Sequence, residues 1–330
     1  MKEMIHIPSL FMATSISFWI GLAVLAGSVV IAESPAKPPQ GQSDTTTQRR
    51  NTEQQARPEI EKQRQQQEQQ GQQSVNKDAV AALEETQKAI KAIAANKTSE
   101  ALAAIEQATG KINILLARNP ATGLIPVSVE VDVIDNAPRD AKTVLELATN
   151  AAKAMDDDEY PAARVLLDAL RSEIRDRTYH IPLGTYPDAL KKAAQLLDQK
   201  KNEEASAELL TAVNTLVAID KATPIPLLLA RTALNGAQVE SQKDKAAAQK
   251  LLEAAKAEVL RAKQLGYAGK DPEYVALNND ISNLETQLKG GGEIASLFNR
   301  LKEKLAAFTN RQSSQQHKQQ QSAPGSRASR

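Results

Sequence analysis

The sequence predicts a mainly α protein with a minor β part: helical hairpins packed as a bundle, with a small sheet of two or three short strands. Three observations predict it. Aromatic residues make up only 3% of the chain against 41% hydrophobic residues. A core of that composition must be Ala, Leu, Val and Ile, which suits closely packed helices. Apolar residues recur at helical spacing over most of residues 76–308. One clear period-two alternation, Pro-Val-Ser-Val-Glu-Val-Asp-Val at 126–133, interrupts them.

Residues 1–32 contain an apolar run from Leu10 to Ile31, and Val30 and Ala32 stand at −3 and −1 before Glu33. That pattern fits a cleaved signal peptide, the alternative being an uncleaved N-terminal anchor. Either reading places the rest of the chain outside the cytoplasm, so the expectation is a periplasmic protein, anchored to the inner membrane if the segment stays. Residues 33–75 and 309–330 are rich in Gln, Ser and charge and lack apolar periodicity. Both are expected to be disordered, the first as a linker and the second as a tail.

A helical domain is expected over residues 76–308. Ala79, Ala82, Leu83, Ile90 and Ile93 form the stripe of a first helix, and Thr98 caps a second carrying Ala101, Leu102, Ile105, Ile112 and Leu115. The layout returns at 143–155 with 159–174 across the turn Asp156-Asp157-Asp158, and at 186–199 with 203–219 across Lys200-Lys201-Asn202. Ala101, Ala162 and Ala205 align, as do Ala108, Ala169 and Ala212. Small residues at such positions let helix backbones approach closely.

Each hairpin is followed by a segment that is not helical. The 126–133 run puts Val127, Val129, Val131 and Val133 on one face of a strand. Residues 174–181 put Arg175, Arg177 and Tyr179 on one face of another. Pairing these two segments brings Arg175 and Arg177 opposite Glu130 and Asp132. Thr223-Pro224-Ile225-Pro226 is extended and fits only a sheet edge. Four more helices follow: 227–239, the stripe Ala248 to Ala262, a third opened by Asp271-Pro272 and closed by Gly290, and a fourth from Ile294 to Phe308.

Composition excludes several chemistries. The 330-residue chain has 41 basic and 40 acidic residues and no cysteine. That balance argues against a general nucleic-acid binder. Without cysteine there are no disulfides, thiol nucleophiles or zinc ribbons. Residues 76–308 hold one histidine, His180, too few for most metal triads. No GxSxG elbow or phosphate loop is present, and Gly290-Gly291-Gly292 lacks a following Lys. The expectation is a protein that is not an enzyme and has no cofactor and no metal site. The acidic run Asp156 to Glu159 suits a helix N-terminus better than a calcium loop.

The candidate ligand or pH-sensing residues are Tyr179, His180, Tyr186, Glu130, Asp132, Arg175 and Arg177. They gather two tyrosines, the lone histidine and facing charges on strand ends, where binding groups collect. His180 could be a pH sensor or a satisfied structural residue.

Three segments carry a resemblance: Ile125-Pro126-Val127-Ser128-Val129-Glu130-Val131, then Tyr179-His180-Ile181-Pro182-Leu183-Gly184-Thr185-Tyr186-Pro187, then Lys263-Gln264-Leu265-Gly266-Tyr267 with Tyr274. With them the chain resembles the YfdX family of exported bacterial proteins over about residues 76–308. The resemblance implies a mainly helical periplasmic protein linked to stress responses, acid stress included, with no catalytic residues to carry over. The function expected is a non-enzymatic, stress-related binding protein, chaperone-like under acid stress. The alternative is a small-molecule binder with a pocket near the Tyr179–Tyr186 segment. The partners expected are unfolded client proteins or a small molecule, and a second copy in a homo-oligomer. Nucleic acid is not among them, and membrane only through an uncleaved N-terminal segment.

Overall fold

A computed structural model of the protein describes residues 40–321 apart from 121, 268, 270 and 291–293. The N-terminal signal or anchor segment lies outside the described residues, and so does the end of the tail from residue 322. The elements in chain order are α1 (Gln40–Ser74), α2 (Lys77–Ala94), α3 (Thr98–Arg118), β1 (Leu124–Asp135), α4 (Ala141–Asp156), α5 (Tyr160–Asp168), β2 (Ser172–Pro182), α6 (Tyr186–Asp198) and α7 (Asn202–Asn214). They continue with β3 (Val217–Pro224), α8 (Ile225–Glu240), α9 (Lys245–Gln264), α10 (Glu273–Gly290) and α11 (Ala295–Gln321). The fold is therefore mainly α with one small sheet, as the composition implies.

The first part repeats one unit, a helical hairpin followed by a strand, three times. Each hairpin turns on a single left-handed residue: Asn96 (φ 58°), Asp158 (φ 59°) and Lys200 (φ 62°). Each turn makes the same two bonds back into the helix it ends. Asn96 N–H donates to Ile93 and Lys97 N–H to Ala92; Asp158 donates to Met155 and Glu159 to Ala154; Lys200 donates to Leu197 and Lys201 to Leu196. These bonds satisfy helix-end carbonyls that would otherwise be orphaned.

Counting from the left-handed residue corrects the alignment made from sequence. Five residues on stand Ala101, Ala163 and Ala205, all buried; twelve on stand Ala108, Leu170 and Ala212. Ala162, expected in register with Ala101, is exposed. The offset of one arises because an eye-made alignment matches alanines, whereas the turn fixes the helix phase.

The three strands form an antiparallel sheet in the order β1-β2-β3. Glu130 stands opposite Arg177 and Asp132 opposite Arg175, in the register expected. The strands are longer than anticipated. β2 begins at Ser172, where the helical pattern had been extended to 174, and β3 begins at Val217, where a helix had been extended to 219. β3 occupies an edge, which suits its terminal Pro224, whereas Ile225 and Pro226, expected to be extended, open helix α8, where proline is tolerated in the first turn. The valine face also breaks. The β1–β2 register shifts between Pro126 and Ser128. Val127 therefore joins Ile125 and Ile181 in one core, while Val131 packs with Ile174 in another and Val133 is exposed.

Strand direction decides where the hairpins go. Leu124 pairs with Pro182, and Val217 pairs with His180, so β1 and β3 both start beside the end of β2. Hairpins α2–α3 and α6–α7 therefore meet at one end of the sheet, α2 against α7 and α3 against α6, and share a core of Ala, Leu and Ile. Hairpin α4–α5 precedes β2 and lies at the opposite end. Helices α8–α11 build a separate core containing Phe298 and Phe308. Besides the apolar packing of Leu228 and Leu229 on Ile174, a buried polar network links it to the sheet. Ser172 N–H donates to the Tyr267 hydroxyl (2.9 Å), which donates to Glu173 (3.0 Å), and Glu173 accepts two bonds from Arg171. Burial, with the Glu173 charge beside it, pushes the Tyr267 hydroxyl far up, so it stays a donor.

The Gln-rich segment expected to be a structureless linker is helical from Gln40 to Ser74. Part of this helix is docked. Ala56 is buried with Ile174, Leu228 and Leu229, Glu59 pairs with Arg231 (2.5 Å), and Gln67 donates to Thr223 (2.7 Å). A seam whose apolar members are Ala56 and Ile60, with Gln, Glu and Gly beside them, has no hydrophobic period, which is why the pattern hid it, and Gln itself is a good helix former. The tail expected from residue 309 is likewise helical as far as Gln321.

Gly71 is a close approach of α1 to the sheet, because a Cβ there would lie 2.5 Å from Val129 Cγ1. Gly71→Ala should lower the urea midpoint, since overpacking of about 1–3 kcal/mol exceeds the roughly 1 kcal/mol gained in helix propensity. In a Val129→Ala background the same change should be neutral or stabilising. A single variant at least as stable as the parent would show that α1 is not seated there.

Candidate binding site

Sheet alternation separates the candidate residues onto two faces. Odd-numbered β2 residues from 175 to 179 share a face with Glu130 and Asp132, and the β3 partner of Arg177 is Asp220. Arg175 donates to Asp132 at 2.5 Å. Arg177 grips Asp220 with two bonds of 2.7 Å, a bidentate fork that suits guanidinium geometry. Tyr179 donates to Glu130 at 3.3 Å. The arginines are thus engaged by carboxylates within the sheet, and the arrangement serves strand register. Asp220 was missed from sequence because the helix had been extended to Ile219 and the third strand placed only at 223–226, leaving residue 220 between them.

On the opposite face Ile174 and Asp176 point toward α1. Asp176 is half-buried, and desolvation holds its carboxyl above the ordinary value despite the charge of Lys221 opposite. Asp220 is held below it by its bonds from Arg177.

His180 and Tyr186 go elsewhere. The His180 Nδ1 lies 3.1 Å from the Thr178 carbonyl and 3.3 Å from the Val217 carbonyl. Two acceptors require the proton on Nδ1, so the ring is oriented by backbone. Tyr186 is fully buried at the start of α6 and donates to the Thr86 hydroxyl at 2.9 Å, and burial raises its own pKa. Thr86 in turn donates to the Ala82 carbonyl at 2.8 Å, so the bundle core holds a satisfied polar pair.

Tyr186 also borders a cleft of about 840 Å³ between hairpin α6–α7 and the strand ends. Leu124, Pro182, Ala189, Ala212 and Val217 supply apolar walls, while Asp188, Lys192, Glu208 and Thr211 supply polar groups. Lys192 and Glu208 pair across the two helices at 2.8 Å. The cleft has the size and mixed lining of small-molecule sites. Of the sequence candidates only Tyr186 lines it. The cleft lies where β1 and β3 begin beside the end of β2 and hairpin α6–α7 packs over them.

The two shifted aspartates give opposite pH signatures. Asp220, lowered, contributes stability that is present above its unfolded pKa of about 4 and lost as pH falls below it. Asp176, raised, takes up a proton in the folded state first, so stability rises as pH falls through its raised value. Asp176→Asn should therefore raise the urea midpoint at neutral pH and remove the gain on mild acidification. Arg177→Ala should flatten the loss below about pH 4. Superimposable midpoint–pH curves for parent and variants would rule both assignments out.

Residues 82–222 match the family model described as YfdX protein. No curated protein matches the chain. A solved structure of YfdX from Salmonella Typhi is 16% identical, covering 45% of this chain and 91% of that one, with a TM-score of 0.31. The matched segment is narrower than the 76–308 expected from sequence: it takes in β1, β2 and almost all of β3 and stops before α8. The three hairpin–strand units thus coincide with the segment, residues 82–222, that is similar to the YfdX family model.

Proposed function

We propose that this protein is a non-enzymatic, stress-related binding protein of the periplasm, and that its ligand is an amphipathic small molecule held in the α6–α7 cleft. The observation that carries the reading is the cleft itself. It is large enough for a drug-sized molecule, mostly apolar inside, and bordered by a few fixed polar groups that could orient one. The export pattern of residues 1–32 supports the compartment. The stress link comes from the family resemblance alone.

A second reading is favoured by a different observation. Hairpin α4–α5 exposes Leu145, Met155, Tyr160, Val165 and Leu167. Exposed apolar side chains of this kind could hold an unfolded client in a chaperone-like way, including under acid stress.

The dye anilinonaphthalene sulfonate separates the two sites. The parent should bind it with enhanced fluorescence, and Ala189→Trp, which fills the cleft, should weaken binding at least about tenfold with unchanged circular dichroism. Equal binding by parent and Ala189→Trp would count the cleft out. For client holding, light scattering of an unrelated unfolding protein should fall on addition of this protein and recover with Leu145→Glu combined with Leu167→Glu. No suppression at neutral or acid pH would end that reading.

A further inference from the structure

Three glutamines of α1 share one helical face. Gln63, Gln67 and Gln70 stand at i, i+4 and i+7, and all three line a second cavity of about 350 Å³. From α11 come Ala306, Thr309 and Asn310, at i, i+3 and i+4 of another helical face. The sheet contributes Asp176, Lys221 and Thr223, and α8 contributes Leu228 and Arg231. Both Gln-rich segments, read from sequence as tethers, thus supply helices that wall a cavity over the sheet. Of the lining residues, Asp176 and Lys221 fall within residues 82–222, so the cavity is built mostly by parts of the chain outside the matched segment.

The lining selects a class of guest. Leu228 and Ala306 are its apolar members, and no aromatic side chain belongs to it, so a sugar or a nucleobase has no ring to stack on. Side-chain amides dominate, and each can both donate and accept. Charges of both signs are present. Asp176 and Lys221 stand directly opposite each other on β2 and β3. Arg231 gives one bond to Glu59 (2.5 Å), and a guanidinium has further N–H donors. The two acids and two bases balance, which favours a guest with no net charge. Burial works against the charge of Asp176, and Lys221 offsets only part of that cost, so a second cation beside this carboxylate is favourable. Gln67 donates to Thr223 (2.7 Å), and its buried side-chain oxygen has no donor among the described residues. Buried acceptors left in this way are exceptions in folded proteins.

We propose that this cavity binds a small zwitterion of the free amino acid type, with an ammonium and a carboxylate on neighbouring carbons. The ammonium is held by Asp176. The carboxylate is held by Lys221 and the remaining N–H donors of Arg231. Opposed residues of an antiparallel pair lie about 4.5–5.5 Å apart at Cα, a separation that lets one such molecule engage Asp176 and Lys221 together. The amides of Gln63, Gln67 and Asn310 hydrogen-bond the polar body. A purely cationic guest is opposed by Lys221 and Arg231, and a purely anionic one by Asp176. The volume suits a small metabolite, since ligand pockets span about 300–1,000 Å³ and this one lies near the lower limit. The site is distinct from the α6–α7 cleft in place and in chemistry, and the inference does not rest on that cleft being used.

The test is isothermal titration calorimetry of the purified full chain at neutral pH. The probes are the common L-amino acids, one at a time, with glucose and glycerol as uncharged polar comparisons. At least one amino acid should bind in one-to-one ratio with a Kd below about 1 mM. Its N-acetyl and its carboxamide derivatives, each lacking one charge, should bind at least about tenfold more weakly. Asp176→Asn and Lys221→Met should each cost more than about tenfold in affinity, with circular dichroism unchanged. Lys221 is exposed, so its variant keeps the test open if Asp176→Asn disturbs the fold. Ala189→Trp, in the α6–α7 cleft, should leave amino acid binding as it is. Heat from glucose or glycerol and none from any amino acid overturns the proposal, and so does silence from every probe. Amino acid binding that survives Asp176→Asn and Lys221→Met, or that is lost with Ala189→Trp, overturns it by placing the guest elsewhere.

Discussion

The structure depends on the antiparallel pairing of β2 with both of its neighbours. Eleven residue pairs join β1 to β2 and eight join β2 to β3. A one-residue slip would move every side chain to the other face. In-sheet ion pairs oppose such a slip, because Arg177 meets Asp220 and Arg175 meets Asp132 only in this register. Each exposed or half-exposed pair contributes little to stability by itself. Their value is in specifying alignment, and alignment sends two hairpins to one end of the sheet and one to the other.

Helix pairing at the crowded end is possible because the seam is small. Ala82, Ala89, Ala101, Ala104, Ala108, Ala193 and Ala205 are almost wholly buried there. Backbones come close, and dispersion between well-packed atoms replaces the bulk that aromatics supply in most cores. Tyr186 is the exception, a large residue inserted among alanines, and its hydroxyl needs Thr86 to be tolerable in that setting. The same tyrosine edges the cleft, so one side chain closes the core and borders the candidate site.

Much of this was legible in the sequence. The helical stripes, the hairpins, the β1–β2 register and the edge position of the third strand all follow from periodicity and turn chemistry. Three features did not. The start of β3 was read as helix because Leu216, Val217 and Ile219 continue an apolar run that either element could use. The docked helix α1 was hidden because its contacts come from Ala56, Ile60, Glu59, Gln67 and Gly71, which form no apolar period. The one-residue offset in the middle repeat was invisible without the left-handed turn as a reference. Of the candidate site residues, five came together on the charged face and Tyr186 reached the cleft. The cleft itself has no linear signature, since its lining comes from the ends of three strands and two helices distant in sequence.

Helix α1 has a mechanical meaning. At 35 residues it is about 52 Å long. It touches β1 and β2 of the sheet and α8 and α9 of the C-terminal bundle. It is thus a splint bolted to both the sheet and the C-terminal bundle, with Glu59–Arg231 and Gln67–Thr223 among its fastenings. Load applied along it would be spread over both bodies at once, and no single contact would take it alone.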